Sequence, residues 1–584
     1  MVNGPEDVDL DWDAVDWRAH EDNVRRLRRR IFTASQAGEL AAVRNLQKML
    51  LRSWSNTLVS VRQVAQRNAG RKTAGVDGEV ALTSAEQGQL AVRVHRTIAS
   101  WTPLPVKRVY IPKAQGSKLR PLGIPVLMDR CHQARVRQAL EPEWEARFEP
   151  KSYGFRPGRG CADAVAVLFT TMRGTNARSW ILDADLTAAF DRINHDHLLN
   201  MLGSFPGRRL VRGWLTAGVL EDEQFAPTEE GTPQGGVISP LLLNVALHGL
   251  EGAAGVRYYT SGSKAGQTMP DAPVLVRYAD DLVVCCHDKQ QAEQVRARLV
   301  AWLTPRGLAF NEAKTQIVSL GEGFDFVGFN VRRYHDRKLL IKPSKAAVRR
   351  MRERLATEMR ALRGANAMAI LGRLNPIIRG WAAYYRGVVS SEIFQSLDDY
   401  VWKLTYKWAK HSHPNKPKKW VTSRYFGKFN KFRNDRWVFG DRDNGAHLVK
   451  FSWTEIVRHT MVKGSASPDD PALAEYWAQR RRRVRPPLDR HNLRLLDRQA
   501  GRCPLCADHL LTAEQPPQSP REWERWWLQV VRRAIAQDYL VHHGRADTPD
   551  GTRTRLVHAS CHRALRARQR RTPATQICTP SRLA

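Results

Sequence analysis

Apolar residues recur every three or four positions through residues 20–68, with Leu40, Val43, Leu46 and Leu50 set among arginines, and this period predicts helices. A glycine-rich break, GRKTAGVDGEV, ends that region. Residues 104–126 predict two short strands around a tight turn at Gln115-Gly116-Ser117. Helical spacing resumes over 127–147. WILDADL (180–186) reads as a buried strand entering a helix, and VLVRYADDLVVCC (274–286) as two apolar strands flanking a polar break. Three helices are predicted from Lys345 to about His411, lysine, arginine and aromatics mix over 405–440, and RRRRVRP (480–486) reads as a linker. No internal repeat is present.

Charge changes this picture most. The 584 residues hold 93 lysines and arginines against 58 acids, a net charge of +35 that suits a polyanion better than a merely solvated surface. Hydrophobic content of 42% is enough for several packed domains. The acidic N-terminal stretch and the lack of an apolar run near the roughly 18 residues of a spanning helix predict neither signal peptide nor membrane association. Eight cysteines in so long a chain do not suggest a disulfide framework, so the expectation is a reducing, cytoplasmic location, nucleoid-associated through nucleic acid.

Two strands carry acids where a core strand should not. Asp280 and Asp281 interrupt an apolar hairpin, and Asp183 and Asp185 alternate onto one face of a strand that continues into Ala189-Phe190-Asp191. Turn chemistry accounts for the first pair taken alone, and a helix N-cap for one aspartate of the second. One chemistry accounts for both: nucleotidyl transfer uses two divalent ions about 3.5–4 Å apart, and magnesium takes carboxylate and water oxygens.

With these motifs the chain resembles the reverse transcriptases. YADD between apolar strands resembles their polymerase signature, and DLTAAFD (185–191) their other metal-binding motif. The resemblance implies Asp185, Asp280 and Asp281 as ligands of two Mg2+ ions. It also implies Phe190 as the ring that crowds a ribose 2′ position and so favours deoxynucleoside triphosphates; taken alone, Phe190 reads equally as a core aromatic. YIPKAQGSKLRPLGIP resembles the fingers hairpin, which implies that Lys113 and Arg120 hold the triphosphate. SYGFRPGRGCADAV, GTPQGGVISPLLLNV, LAFNEAKTQIVSL and GFDFVGFNVRR resemble further blocks, with Gln234, Gly235 and Gly236 letting backbone approach the nucleotide, and Lys314 in the penultimate block.

The flanks resemble group II intron-encoded proteins. The stretch from Val15 to Gly78, opening VDWRAHEDNVRRLRRRIFTASQ, resembles their N-terminal extension, and LNPIIRGWAAYYRGVVSSEIF onward their maturase thumb. This implies group II intron RNA and target DNA as partners, with splicing, retrohoming and target-primed copying as roles. Arg379, Tyr384, Tyr385, Lys416, Lys418 and Lys419 are the candidate RNA contacts, since aromatics stack on bases while cations follow phosphates. Trp381 and Trp402 read equally as core. A homodimer is compatible with the sequence.

Cys503-Pro-Leu-Cys506 and His558-Ala-Ser-Cys561 have the two-pair spacing of a structural zinc site. With His542, His543 and His562 the segment resembles an HNH endonuclease. Leu540, Arg553 and Arg566 stand where that family carries an acid, an asparagine and a last histidine, so zinc-stabilised DNA binding is expected and cleavage is not.

The expected architecture is α+β: a right-hand polymerase with a helical maturase thumb and a small zinc-binding HNH-like (ββα-metal) module. Its expected parts are a helical extension (1–71), fingers and palm (72–340), thumb (341–440), a linker and DNA-binding region (441–495), the HNH-like module (496–570) and a basic tail (571–584). A splicing factor with a silent polymerase and a host-recruited defence enzyme are the competing readings; the intact aspartates oppose the first, and the thumb and Cys/His segments the second.

Overall fold

A computed structural model describes residues 10–112, 119–174, 178–334, 338–430, 433–483, 486, 488, 490–505, 510–511, 517–528, 555–557 and 561. It resolves into two units: residues 1–341 with 459–474, and residues 342–458 with 475–584. The returning segment 459–474 divides the region read from sequence as one linker.

The first unit begins with helices Trp17–Gln36, Leu40–Arg52 and Trp54–Val61, started by Asp16, which accepts from Arg18 N and Ala19 N, and by Ser53, which accepts from Asn56 N. They pack on helix Leu127–Glu145, buried along nearly its whole length. Its polar groups are paired rather than exposed: Glu143 takes Arg44 (2.6 Å) and Gln47 (2.8 Å), and Asp129 accepts from the indoles of Trp101 and Trp214, each at 2.7 Å.

The strands are β1 (Val106–Pro112), β2 (Leu119–Ile124), β3 (Trp180–Asp185), β4 (Val219–Glu221), β5 (Gln224–Ala226), β6 (Val274–Tyr278), β7 (Asp281–Cys286) and β8 (Gln316–Ser319). One sheet runs β2-β1-β4-β5 and the other β6-β7-β3-β8, the latter antiparallel throughout. Period-two alternation sends Leu182, Ala184 and Leu186 into a core shared with Leu282, Val284 and Cys286, which leaves Asp183 and Asp185 on the opposite face. Helices Ser239–Ala246 and Lys289–Leu303 contribute to that core.

Segment 459–474 lies on this first unit and is held by paired polar groups. His459 Nε2 and Val462 N meet Asp163 Oδ1 at 2.7 and 2.9 Å, and Arg159 donates to the carbonyls of Gly464 and Ala466. Arg28 joins Asp469 (2.6 Å) and Glu141 (2.8 Å), a triad in which every side chain is nearly buried.

In the second unit, helices Lys345–Ala361, Ala367–Tyr385 and Ser391–Ser412 enclose a core of Trp381, Phe394, Leu397 and Phe451. Helix Pro520–Trp526 packs along Ala367–Tyr385, with Arg354 on Glu524 at 2.7 Å and the Arg379 guanidinium 4.7 Å over the Trp527 ring. Leu495, Leu496, Cys503, Leu510, Leu556 and Val557 form a small separate cluster against which Cys561 packs. Among the described residues no helix is long and apolar enough to cross a membrane.

Candidate active site

The acidic face of the β6-β7-β3-β8 sheet collects the carboxylates. Asp185, the last residue of β3, sits directly across the ladder from Asp281, the first of β7, and Asp280 occupies the β6–β7 turn. Ala279 makes this turn possible by taking a left-handed φ of 59°. Buried Arg277 fixes the tip: it donates to the Ala279 carbonyl (3.1 Å), to Asn244 Oδ1 (2.9 Å) and to Ser152 Oγ (2.6 Å). Asn244 in turn donates to the Gly154 carbonyl at 2.9 Å. A Cβ on Gly154 would lie 2.2 Å from Ala279 N, so only glycine admits this approach. Sequence reasoning missed Arg277 and Asn244 as positioning groups. An arginine inside an otherwise apolar strand was the available signal.

The site holds more negative charge than it neutralises. Burial, then the charges of Asp280, Asp185 and Asp183, push the Asp281 carboxyl up to about 7. Burial also raises Asp183, to about 6, and raises Asp280, which Arg120 and Lys314 partly offset. Lys314 sits on Asp185 Oδ2, and that hydrogen bond raises its own pKa. The crowded carboxylate oxygens are of the kind a hard divalent ion takes, and the Lys314 ammonium meets part of their charge at Asp185. Among the described residues no three carboxylate, imidazole or thiol side chains are gathered closely enough to hold a metal ion by themselves. An open arrangement suits magnesium, which keeps waters and takes substrate phosphates as ligands.

Around the carboxylates, Arg120 is exposed on β2, opposite Ile111 of β1, and its charge is felt at Asp280. Lys113 lies outside the described residues. Phe190 is buried, edge-on to Phe155 with ring centroids 6.3 Å apart, and its carbonyl accepts from Thr232 N. The Gln234 carbonyl accepts from Gly123 N at 2.8 Å, and a Cβ on Gly235, at φ 125°, would stand 2.8 Å from the Gly123 carbonyl. The close approach that Gly235 allows in the structure is to the end of β2, whereas a Cβ on Gly236 would stand 2.7 Å from Ser239 Oγ.

Three family models match this chain. "N-terminal domain of reverse transcriptase" covers residues 12–94, "Reverse transcriptase (RNA-dependent DNA polymerase)" 111–331, and "Group II intron, maturase-specific domain" 348–426. Protein YkfC of Escherichia coli K12 is 31% identical over 347 residues, which span 90% of that protein and 54% of this chain. This chain belongs to the reverse transcriptases that carry a maturase-specific domain. The group II intron-encoded protein LtrA of Lactococcus lactis is 37% identical over 188 residues, a match that spans 31% of LtrA and 32% of this chain. A solved telomerase from Candida albicans aligns with a TM-score of 0.31 at 14% identity, covering 53% of this chain and 57% of that one.

As an RNA-directed DNA polymerase, this reverse transcriptase carries its carboxylates on a sheet whose register sets their spacing. Bound magnesium would activate the attacking hydroxyl and stabilise the leaving pyrophosphate. The chain's own part is to hold Asp185 and Asp281 across one ladder, to lock Asp280 through Arg277, and to keep Lys314 beside the same oxygens.

In the reverse transcriptase's thumb, Arg379 is exposed and stacks on Trp527, and Tyr384 is half-buried. Lys416, Lys418 and Lys419 are exposed. Tyr385 corrects the expectation made for it. Only 2% exposed, with its ring 4.3 Å from that of Trp381, it is thumb core and offers no face to a base. Trp381 is core as well, whereas half-buried Trp402 stacks on Tyr406 at 5.4 Å. Cys503 and Cys561 lie at the same small apolar cluster; Cys506, His558, His542, His543 and His562 lie outside the described residues.

Proposed function

We propose that this reverse transcriptase binds a group II intron RNA through its thumb, assists its splicing, and copies it at a DNA target by target-primed synthesis. The observation that carries the catalytic part is the pairing of Asp185 with Asp281 across the ladder, with Asp280 in the turn. In this reading these three aspartates hold two magnesium ions, Arg120 and Lys113 steady the triphosphate, Gln234 borders the nucleotide, and Phe190 excludes a ribose hydroxyl. Tyr384, Arg379 and the lysines 416, 418 and 419 contact intron RNA. The C-terminal module binds DNA around a zinc ion held by Cys503, Cys506, His558 and Cys561. The reading draws support from Gln499, which brackets Leu556 N (2.7 Å) and O (2.8 Å) and so brings the Cys503 side of the module to the Cys561 side.

Primer extension on an RNA template with Phe190→Ala tests the sugar gate. The variant is expected to incorporate ribonucleotides that the parent rejects; equal rejection leaves Phe190 as core alone. Metal analysis of the purified full chain is expected to give one zinc per molecule, lost in Cys503→Ala with Cys561→Ala. Duplex DNA with magnesium is expected to be bound but not cut; cleavage that disappears in His543→Ala would reverse the reading of the module as non-cleaving.

A further inference from the structure

Away from the polymerase site, the thumb contains a cleft of about 640 Å³ to which the proposed function gives no role. It lies where three segments meet: the first turn of helix Ala367–Tyr385, the last turn of Ser391–Ser412, and the stretch around Arg424, Tyr425 and Asp441. Its volume falls within the roughly 300–1,000 Å³ of small-ligand sites, large enough for one nucleotide.

The lining is that of a base pocket. Trp408 is buried against it, fixed by its indole N–H to the Leu362 carbonyl at 3.0 Å, and the Tyr425 ring stands edge-on to it at 5.3 Å. Rings continue outward from there: Tyr425 stacks on His413 at 5.6 Å, and His413 meets the partly exposed Trp420 at 4.9 Å. Lys416 lies 5.5 Å from the Trp420 ring, beside exposed Lys418 and Lys419. The edges of the cleft carry both hydrogen-bonding senses. Arg424 donates to Asp443 at 3.0 and 3.2 Å on an exposed rim, and Asp441 holds its carboxylate in place by accepting from Asp443 N and Asn444 Nδ2, each at 3.0 Å. Each carboxylate oxygen keeps a second lone pair for an incoming N–H.

An aromatic floor, donor and acceptor walls and a lysine-lined approach match an unstacked base whose phosphates run along the lysines. We infer that this cleft seats one extrahelical nucleotide of the RNA that the thumb binds. The inference rests on the thumb being an RNA-binding element, and it adds that recognition there reads an unpaired residue rather than the duplex backbone alone.

The test uses the full chain and three RNA hairpins with the same stem: one fully paired, one with a single bulged guanosine, and one with an abasic site at the bulge. The bulged hairpin is expected to bind roughly tenfold tighter than the paired one, within the range one stacked base supplies, and the abasic hairpin no tighter than the paired. Arg424→Ala and Asp441→Ala, both on exposed or half-exposed positions, are each expected to erase this preference while leaving the melting temperature and paired-stem affinity unchanged. A 4-thiouridine at the bulge is expected to crosslink within residues 408–425. A preference that is absent, that survives both variants, or that appears equally with a bulged DNA hairpin overturns the assignment. Loss of affinity for every hairpin, paired stem included, would instead strike the thumb's RNA-binding role.

Discussion

The palm and the thumb use polar groups in opposite ways. In the palm the candidate acids are half-buried, and their supports are buried further: Arg277, Asn244 and Ser152 lie at 2% exposure or less. In the thumb the lysines and the Arg424–Asp443 pair stand at the surface around a half-open aromatic cleft. The difference reflects what each must bind. On the proposed function the palm would hold two metal ions and a reacting phosphate, which tolerate little displacement, and its groups are fixed by buried partners accordingly. An RNA strand is met over many weak contacts, so the thumb needs charge and stackable rings more than rigidity.

The contrast predicts a steep loss in one region and shallow losses in the other. Asp280→Asn is expected to lower primer extension by about a thousandfold or more, since a metal ligand loses its charge, while intron RNA affinity stays unchanged. Substantial DNA synthesis by this variant would break the assignment of the metal site.

Asn244→Ala should show whether the buried supports matter at a distance. It removes the partner of Arg277 and of the Gly154 carbonyl, and kcat is expected to fall roughly 10- to 100-fold with little change in nucleotide KM. A KM effect alone would mean that the turn is not what Asn244 positions.

The acids also set a pH dependence. Asp281 titrates at about 7 in the folded chain and near 4 when unfolded, so the folded state binds more protons between those values. Without divalent ion, stability from this group is therefore lost as pH rises from about 4 to about 7. Magnesium, which needs the ionised form, is expected to raise the melting temperature more at pH 8 than at pH 5.5. Asp281→Asn should flatten that dependence, and an equal magnesium shift at both pH values would count against these carboxylates as its ligands.

The smallest effect belongs to the thumb surface. Replacing Lys416, Lys418 and Lys419 by glutamine is expected to weaken intron RNA binding several-fold and to reduce the salt slope by about 0.7–0.9 per lost phosphate contact. An unchanged slope would leave these lysines as solvated surface.

What was legible in the sequence obeyed local rules. Alternation in WILDAD put Leu182 and Ala184 inward and the aspartates outward, and the apolar runs on either side of Ala279–Asp280 announced a hairpin. Tyr385 was misread because helix Ala367–Tyr385 carries apolar residues around most of its circumference, so period alone could not tell its buried side. The partner of Gly235 was hidden for another reason: a glycine announces a close approach but not what approaches. Segment 459–474 left the weakest trace, since much of its attachment runs through main-chain carbonyls of Gly464 and Ala466 to an arginine some three hundred positions earlier.

That returning segment also constrains the order in which the polymerase can be completed. Arg28, Arg159 and Asp163 are made early, yet their partners emerge only after the intervening thumb has been synthesised, more than a hundred residues later. At ribosomal speeds of about 5–20 residues per second, the nascent palm waits for roughly ten seconds or so with an arginine triad short of one carboxylate. The last stitch of the first unit thus comes from beyond its own apparent end, and a chain truncated after the thumb helices would carry Asp185, Asp280 and Asp281 on a body still missing its clasp.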